Sequence, residues 1–435
     1  MTDVTQLAPK LQVFFTRTAN AIARKTKFVQ RESKLTGEIF LQSVVFGFEE
    51  QPEACLTDLI GMSDDLGVAI TRQGLHERIQ HAAPFLREMF EHSLRLFRQD
   101  LPLDSGVLKQ FRGIFITDST VLVVPESLQA EFPGCGGSGA DAAVKIQLTF
   151  ELLCGTLDTV DLQAGRSPDQ TYQAHPHRIQ PGALYLSDLG YFVVKRFQQI
   201  DQQHAYFLSR FDLQTAIFEP HTGERLDLLA WLRTQTRTQV ETEWLVGAQD
   251  KVRCRVIAVQ LPSEAADRRR QKARENAQRK GRTLSPRHLA LLDWNIYITN
   301  LPATVLSLRQ VLVMYAVRWQ IELIFKVWKS HCALDHVPGR RRERVLTELY
   351  AKLIGVVVTH FLIAPSRSLE RELSMVKVQH LLRRYALRLA QSLGSLEQLV
   401  AVLNKIVTRC LALARKDKRR KRLTTLQKLH LAEAS

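Results

Sequence analysis

Three acids in contrasting surroundings are the residues best suited to chemistry. Asp118 stands in RGIFITDSTVLVVP, with Ile114, Phe115 and Ile116 before it and Val121, Leu122, Val123 and Val124 after it. Asp188 follows the run Ala183-Leu184-Tyr185-Leu186 and precedes Gly190 by two positions. Glu322 lies in YAVRWQIELIFKVWK, where Tyr315, Arg318, Glu322, Lys326 and Lys329 are spaced 3, 4, 4 and 3 apart. At about 100° per residue those five fall within an arc of roughly 80° on an otherwise apolar helix. A carboxylate in an apolar strand is costly unless it is paired or bound to a metal. Phosphoryl transfer on nucleic acid uses hard oxygen ligands around two Mg2+ ions about 3.5–4 Å apart, one at the attacking oxygen and one at the leaving oxygen. Two strand-borne aspartates and a helical glutamate would supply those oxygens, and Arg318, Lys326 and Lys329 would meet the phosphates. The plainer alternative is a solvated stripe with Glu322 and Lys326 as an i, i+4 pair, and aspartates that serve turns and caps.

The elements that must position these residues follow from the change of texture along the chain. Residues 1–107 read as helices. Within them DLIGMSDDLGVAITRQGLHERIQHA has the form of a helix-turn-helix, its second helix starting at Thr71 with Arg72, Gln73, His76 and Arg78 outward. Residues 108–212 read as three strands, a polar stretch with helical potential, a strand ending at Asp188, the helix VVKRFQQIDQQ and the strand AYFLSRF. Residues 213–300 add further strands around DRRRQKARENAQRKGRTLSPRH, which has nine Lys or Arg against two acids. Residues 301–365 contain the Glu322 helix, and 366–435 are helical. The expectation is a multidomain α/β protein whose mixed sheet is interrupted by a mostly β insertion and flanked by helical ends.

Composition narrows the partners. The chain has 435 residues, a net charge of +16 and a pI near 9.7, which favours a polyanion and nucleic acid above all. LYAKLIGVVVTHFLIAP is broken by Lys352 and His360 and suits a buried helix better than a membrane span. No basic segment precedes an apolar run at the N-terminus, so no signal peptide is read and a cytoplasmic, nucleoid-associated location is expected. The six cysteines show no metal-ligand spacing. FPGCGGSGADAA lacks the Lys-Ser/Thr of a nucleotide-phosphate loop and reads as a mobile connection.

Tyr315-x2-Arg318-x3-Glu322-x6-Lys329 resembles the Tyr-Arg-Glu-Lys signature of bacterial DDE transposases of the insertion-sequence-four type. With it, ITDST and LSDLGY resemble the segments bearing the first and second catalytic acids, Asp118 and Asp188. The resemblance covers roughly residues 108–335. It implies an RNase H-like catalytic core with an insertion before the Glu-bearing helix. It also implies cut-and-paste transposition with two Mg2+ ions, for which Mn2+ can substitute. The DNA partners would be the element's terminal inverted repeats and the target, with a homodimer on DNA. By the same resemblance Trp294 would stack on a flipped base, Tyr315, Arg318, Lys326 and Lys329 would position hairpin phosphates, and Arg210 would reach DNA near the site. Leu189 departs from the pattern, since many relatives have Arg there, and one phosphate contact goes with it.

The remaining basic segments carry two readings each. Arg268–Arg287 is a DNA-backbone arm ordered by phosphates, or a solvated helix joining two strands. Arg340, Arg341, Arg342 and Arg344 fit a DNA-facing loop, and 415–422 adds non-specific affinity or solubility. The apolar face within 379–413, including Leu382, Leu389, Leu399, Leu403 and Ile406, packs on the chain's own core or on a second copy. Two rival functions remain open from sequence alone: a non-cleaving DNA-binding regulator and a structure-selective nuclease.

Overall fold

The computed structural model describes residues 4–98, 106–136, 139–172, 179–337, 339–364, 372–416, 423–424 and 427–428. Most of the basic tail 415–422 and two residues of the glycine-rich loop lie outside them. In chain order the helices α1 (Val4–Val13), α2 (Ala19–Lys25), α3 (Gly37–Glu50), α4 (Leu56–Asp65), α5 (Arg72–Gln80) and α6 (Ala83–Leu96) come first. Strands β1 (Ile114–Val123), β2 (Ala143–Glu151), β3 (Thr156–Ala164) and β4 (Leu184–Ser187) follow, then α7 (Val194–Gln202) and β5 (Tyr206–Arg210). The insertion holds β6 (Ile217–Phe218), β7 (Arg225–Leu226), α8 (Leu228–Arg233), β8 (Gln239–Val246), β9 (Val252–Gln260), α9 (Ser263–Arg279), α10 (Pro286–Leu291) and β10 (Trp294–Thr299). Helices α11 (Leu308–Val317), α12 (Trp319–Ser330), α13 (Arg342–Ile363), α14 (Met375–Ser392) and α15 (Leu396–Leu413) complete the order.

Two compact units result. The first comprises Met1–Asp104, Asp118–Ser167 and Trp319–Leu423, and its core is built around two helices that are buried on every side over most of their length. In α3 every residue from Phe40 to Phe48 is buried, and in α13 every residue from Val345 to Ile363. Helix α3 is thus a central helix, because the other helices of this unit leave it no wet face. Helix α13 is long and apolar enough to cross a membrane by length and composition, yet its whole apolar window is buried inside the protein. Its buried lysine is provided for: Lys352 Nζ donates to Glu348 at 2.8 Å, to Ala333 O at 2.8 Å and to His336 O at 2.9 Å. An ammonium has three N–H donors, so this buried charge is fully satisfied.

The apolar face of α14 and α15 belongs to the chain's own core. Leu382, Leu389, Leu399, Leu403 and Ile406 are buried, and α15 packs on α14 and α1. In the N-terminal helices the helix-turn-helix spacing is realised as α4, a turn through Gly67 at φ +82° and α5. Thr71 caps α5 by accepting from Gly74 N at 3.1 Å. Arg72 and Gln73 are exposed. Arg78 is turned inward instead of outward, donating to Phe28 O at 3.0 Å and Ser33 Oγ at 2.8 Å. The glycine-rich loop is closed at its base, where Gly134 N donates to Asp141 O at 2.7 Å and a Cβ on Gly134 would sit 1.9 Å from Ala140 O.

The second unit comprises Ser105–Thr117, Pro168–Arg318 and Thr424–Ser435. Its strands run in the order β1, β4, β5, β10, β9, β8, β6, β7, the first three mutually parallel and the rest antiparallel to their neighbours. The insertion therefore extends the parallel strands through β10, which pairs with β5 as Tyr297↔Arg210, instead of making a separate sheet. Between β3 and β4 the polar stretch forms only a three-residue 3-10 turn at Asp169–Thr171 among the described residues, bounded by Pro168. In the first unit β2 pairs antiparallel with β3.

One carboxyl of the helical core titrates near neutrality. Glu49 is pushed up to about 7, mainly by burial, against the opposing hydrogen bond from Gln379 at 2.7 Å and the charge of Arg383. A raised carboxyl pKa means the folded state holds the proton more tightly, so its stabilising contribution is complete below about 4.5 and is lost as pH rises through 7. Glu49→Gln is expected to flatten the decline in stability between those values, measured by urea unfolding at successive pH.

Candidate active site

The β1–β4 ladder ends on the rung Thr117↔Ser187, and the two strand-borne acids are the residues immediately after it. Asp118 lies in the middle of β1, which runs on to Val123, whereas β4 ends at Ser187 and Asp188 follows its carboxyl end. Asp188 opens a 3-10 turn, Leu189–Tyr191, which its carboxylate does not cap. Asp118 Oδ1 accepts from Ser119 N at 2.8 Å. Both are half-buried.

The helix read from Tyr315 to Lys329 is interrupted only at Arg318, which keeps helical torsions, φ −47° and ψ −33°. Helix α11 ends at Val317, α12 starts at Trp319, and Arg318 N donates to Tyr315 O at 3.1 Å in a tightened turn. Neither Gly nor Pro marks the joint, so the sequence carried no sign of it. Tyr315 and Arg318 belong to the second unit, and Glu322, Lys326 and Lys329 to the first. Glu322 sits in the first turn of α12, where the positive end of the helix favours a carboxylate. Lys326 is exposed, whereas Lys329 Nζ donates to Val121 O at 2.9 Å.

Around Asp188 the second unit gathers aromatic and cationic groups. The Tyr315 ring lies 4.9 Å from that of Tyr297, and the Arg318 guanidinium stands 6.0 Å from the Tyr315 ring centre. The Tyr315 hydroxyl is buried with no hydrogen-bond partner among the described residues. Burial, then the Asp188 carboxylate, push this phenol far above its ordinary range, while Arg318 and Arg210 oppose the shift. Burial also raises Tyr297, against Arg210 and Arg269. Sequence reasoning missed Tyr297, although strand alternation could have found it. On β10, Trp294 and Tyr297 are three apart and must face opposite sides.

Trp294 is the ring on the inner side. It is 7% exposed within a core cluster that also holds Ile296, Ile298 and Trp244. Trp319, at the start of α12, is 53% exposed and was also missed. The basic arm is the helix α9, resting on Ala266 and Ala277 and joining β9 to β10. Arg269 is spent internally on Leu292 O, Trp294 O and Asn295, Arg270 on Asp267 and Asp293, and Arg287 on Asp227. Arg268, Lys272 and Arg279 remain on its exposed side. Arg340 and Arg341 are exposed, while Arg342 pairs with Glu131 at 2.7 Å.

Hard carboxylate oxygens suit hard divalent cations such as Mg2+, Mn2+ or Ca2+. Among the described residues no group of three or more His, Cys, Asp and Glu is arranged to hold a metal. Two of the three acids, Asp118 and Glu322, share the first unit, and Asp188 lies in the second.

A family model described as the transposase DDE domain matches residues 109–357, more than half of the chain, and the chain belongs to that family. It is similar to the transposase for insertion sequence element IS231F of Bacillus thuringiensis subsp. israelensis, 26% identical over 412 residues, covering 88% of this chain and 86% of that one. It is also similar to the transposase for IS1151 of Clostridium perfringens, 28% identical over 384 residues, covering 82% and 81%. Among solved structures, that of a piggyBac transposase synaptic complex with hairpin DNA aligns over 96% of this chain and 86% of that one, with a TM-score of 0.50 and 9% identity. The protein is thus an insertion-sequence DDE transposase, an enzyme that cuts DNA and transfers its strands; of the two rival functions, the non-cleaving regulator is ruled out.

The orphan phenol makes a sharp test. A buried hydroxyl without a partner costs about 1–3 kcal/mol. Tyr315→Phe is therefore expected to raise the unfolding free energy by about 1 kcal/mol while lowering DNA cleavage. Denaturant unfolding and an end-cleavage assay on the same preparation check both halves.

Proposed function

We propose that this transposase cuts the terminal inverted repeats of its element by two-metal phosphoryl transfer, with Asp118, Asp188 and Glu322 as the metal ligands. The observation that carries the reading is the Thr117↔Ser187 rung, which delivers two aspartates from adjacent parallel strands. Parallel strands β1, β4 and β5 with a helix between the last two support an RNase H-like core. When bound, Mg2+ or Mn2+ supplies a lowered pKa for the attacking water or 3′-hydroxyl and charge neutralisation at the leaving oxygen. The chain's own residues hold the DNA. Arg210, Arg318 and Lys326 take phosphates, and the Tyr315 hydroxyl, which burial keeps protonated, donates to one. The exposed Arg268, Lys272 and Arg279 of α9, with Arg340 and Arg341, follow the backbone further out.

Helix α5 reads the repeat through Arg72 and Gln73, both exposed at its N-terminal end. Release of the element passes through a hairpin in which an unpaired base stacks on an aromatic ring. Trp319, half-exposed beside Arg318, presents such a ring, whereas Trp294 would have to leave the core to do so. Joining two ends requires two subunits, so the working form on DNA is a homodimer. Its interface is a surface other than the apolar face of α14 and α15, which is already covered.

Asp118→Ala, Asp188→Ala and Glu322→Ala are each expected to abolish Mg2+-dependent nicking of end DNA and leave end binding within about threefold. Each carboxylate lies on the metal, and phosphate contacts carry the affinity. Nicking that survives any one substitution removes that residue from the metal site. Trp319→Ala is expected to reduce hairpin formation about tenfold with first-strand nicking near native, since stacking one base contributes about 1–3 kcal/mol. Equal loss of both steps in a gel of the two strands would return the ring to a structural role.

A further inference from the structure

Helix α12 carries Glu322 near its start, and cations grip its other end. Lys329, in the last turn, donates Nζ to Val121 O at 2.9 Å, and Val121 lies three residues past Asp118 on β1. Arg383 of α14 donates to His331 O, the first carbonyl after the helix. Lys352 of α13, itself buried, holds Ala333 O and His336 O. The next segments are tied to each other as well. Ser127 Oγ, just beyond β1, donates to Arg340 O at 2.5 Å, and Arg342 pairs with Glu131 at 2.7 Å. All of these residues belong to the first unit.

The lengths along the two elements match. Glu322 lies seven residues, about 10 Å, along α12 from Lys329. Asp118 lies three residues, about 10 Å, along β1 from Val121. An exposed phosphate-binding lysine needs a free ammonium, as Lys326 has one turn earlier. Lys329 instead uses its ammonium on a backbone carbonyl 208 residues away in sequence.

We propose that Lys329 is a positioning residue: its bond to the Val121 carbonyl fixes α12 against β1 and so sets the separation of Asp118 and Glu322. Lys352 and Arg383 complete the same clamp. The inference deepens the metal-site reading and rests on it.

The test uses the full-length chain and two readouts. Mn2+ affinity is read from the paramagnetic resonance of the free ion, and affinity for a duplex carrying the element end is read without divalent ions across a salt series. Lys329→Met is expected to weaken Mn2+ binding about tenfold with the salt slope unchanged. Lys326→Met is expected to do the reverse, lowering the slope by about 0.9, the value of one phosphate contact. A slope lowered by about 0.9 in Lys329→Met, with native Mn2+ affinity, would overturn the proposal in favour of a phosphate contact. If Lys329→Met loses its cooperative melt, Lys329→Arg keeps the charge. Weakened Mn2+ binding in that variant supports the clamp, because a planar guanidinium does not reproduce the single Nζ bond, and native Mn2+ binding overturns it. Asp118→Ala separates the two levels. If it leaves Mn2+ affinity intact, the metal site fails and the clamp with it. If it abolishes Mn2+ binding while Lys329→Met does not, only the clamp fails.

Discussion

The pairing of β1 with β4 is the constraint from which the rest follows. Two short parallel segments meet on four rungs, from Ile114↔Leu184 to Thr117↔Ser187. Parallel neighbours require a long connection between them, and here it is everything from the end of β1 to Leu184, including β2 and β3. A slip of one residue in that register would turn every side chain on the strand to the opposite face. The buried Ile114, Ile116, Leu184 and Leu186 hold the register by burial on the inner faces. Asp118 within β1 and Asp188 just past β4 can then stand where they do because the apolar residues before them bear the cost of fixing the backbone.

Much of this was legible in the sequence. Runs of β-branched and aromatic residues gave β1, β2, β5 and β10 closely, since a pleated, half-buried surface selects those side chains. The helix-turn-helix was legible from Gly67 and Thr71, a positive-φ turn and an N-cap, two residues whose local chemistry decides their place. Three things were not legible, each for a different reason. The break at Arg318 has no Gly or Pro to announce it. Arg78 and Lys329 looked like solvent-facing cations, and only tertiary structure brought carbonyls within reach of them. Trp294 and Tyr297 share a strand, and choosing which one faces inward needed the core to be in place.

Cations in this protein divide into two populations that composition alone merges. Some are exposed, such as Arg268, Lys272, Lys326, Arg340 and Arg341. Others hold backbone oxygens at the ends of elements, such as Arg78, Arg269, Lys329, Lys352 and Arg383. The second population uses charge for architecture, where a charge-assisted bond is stronger than one between neutral groups. The net charge of +16 therefore overstates the capacity for phosphates. The basic α9 shows the division within one helix, its inner Arg269 joined to β10 and its outer Arg268 and Lys272 exposed.

The joint at Arg318 changes what the interval between Tyr315 and Glu322 means. On one continuous helix, that interval would be an angle, and any substitution preserving helicity would preserve it. Here it also passes through a tightened turn at Arg318, whose torsions stay helical at φ −47° and ψ −33°. What that turn demands is an N–H at position 318, since a proline there would remove the donor that closes it on Tyr315 O.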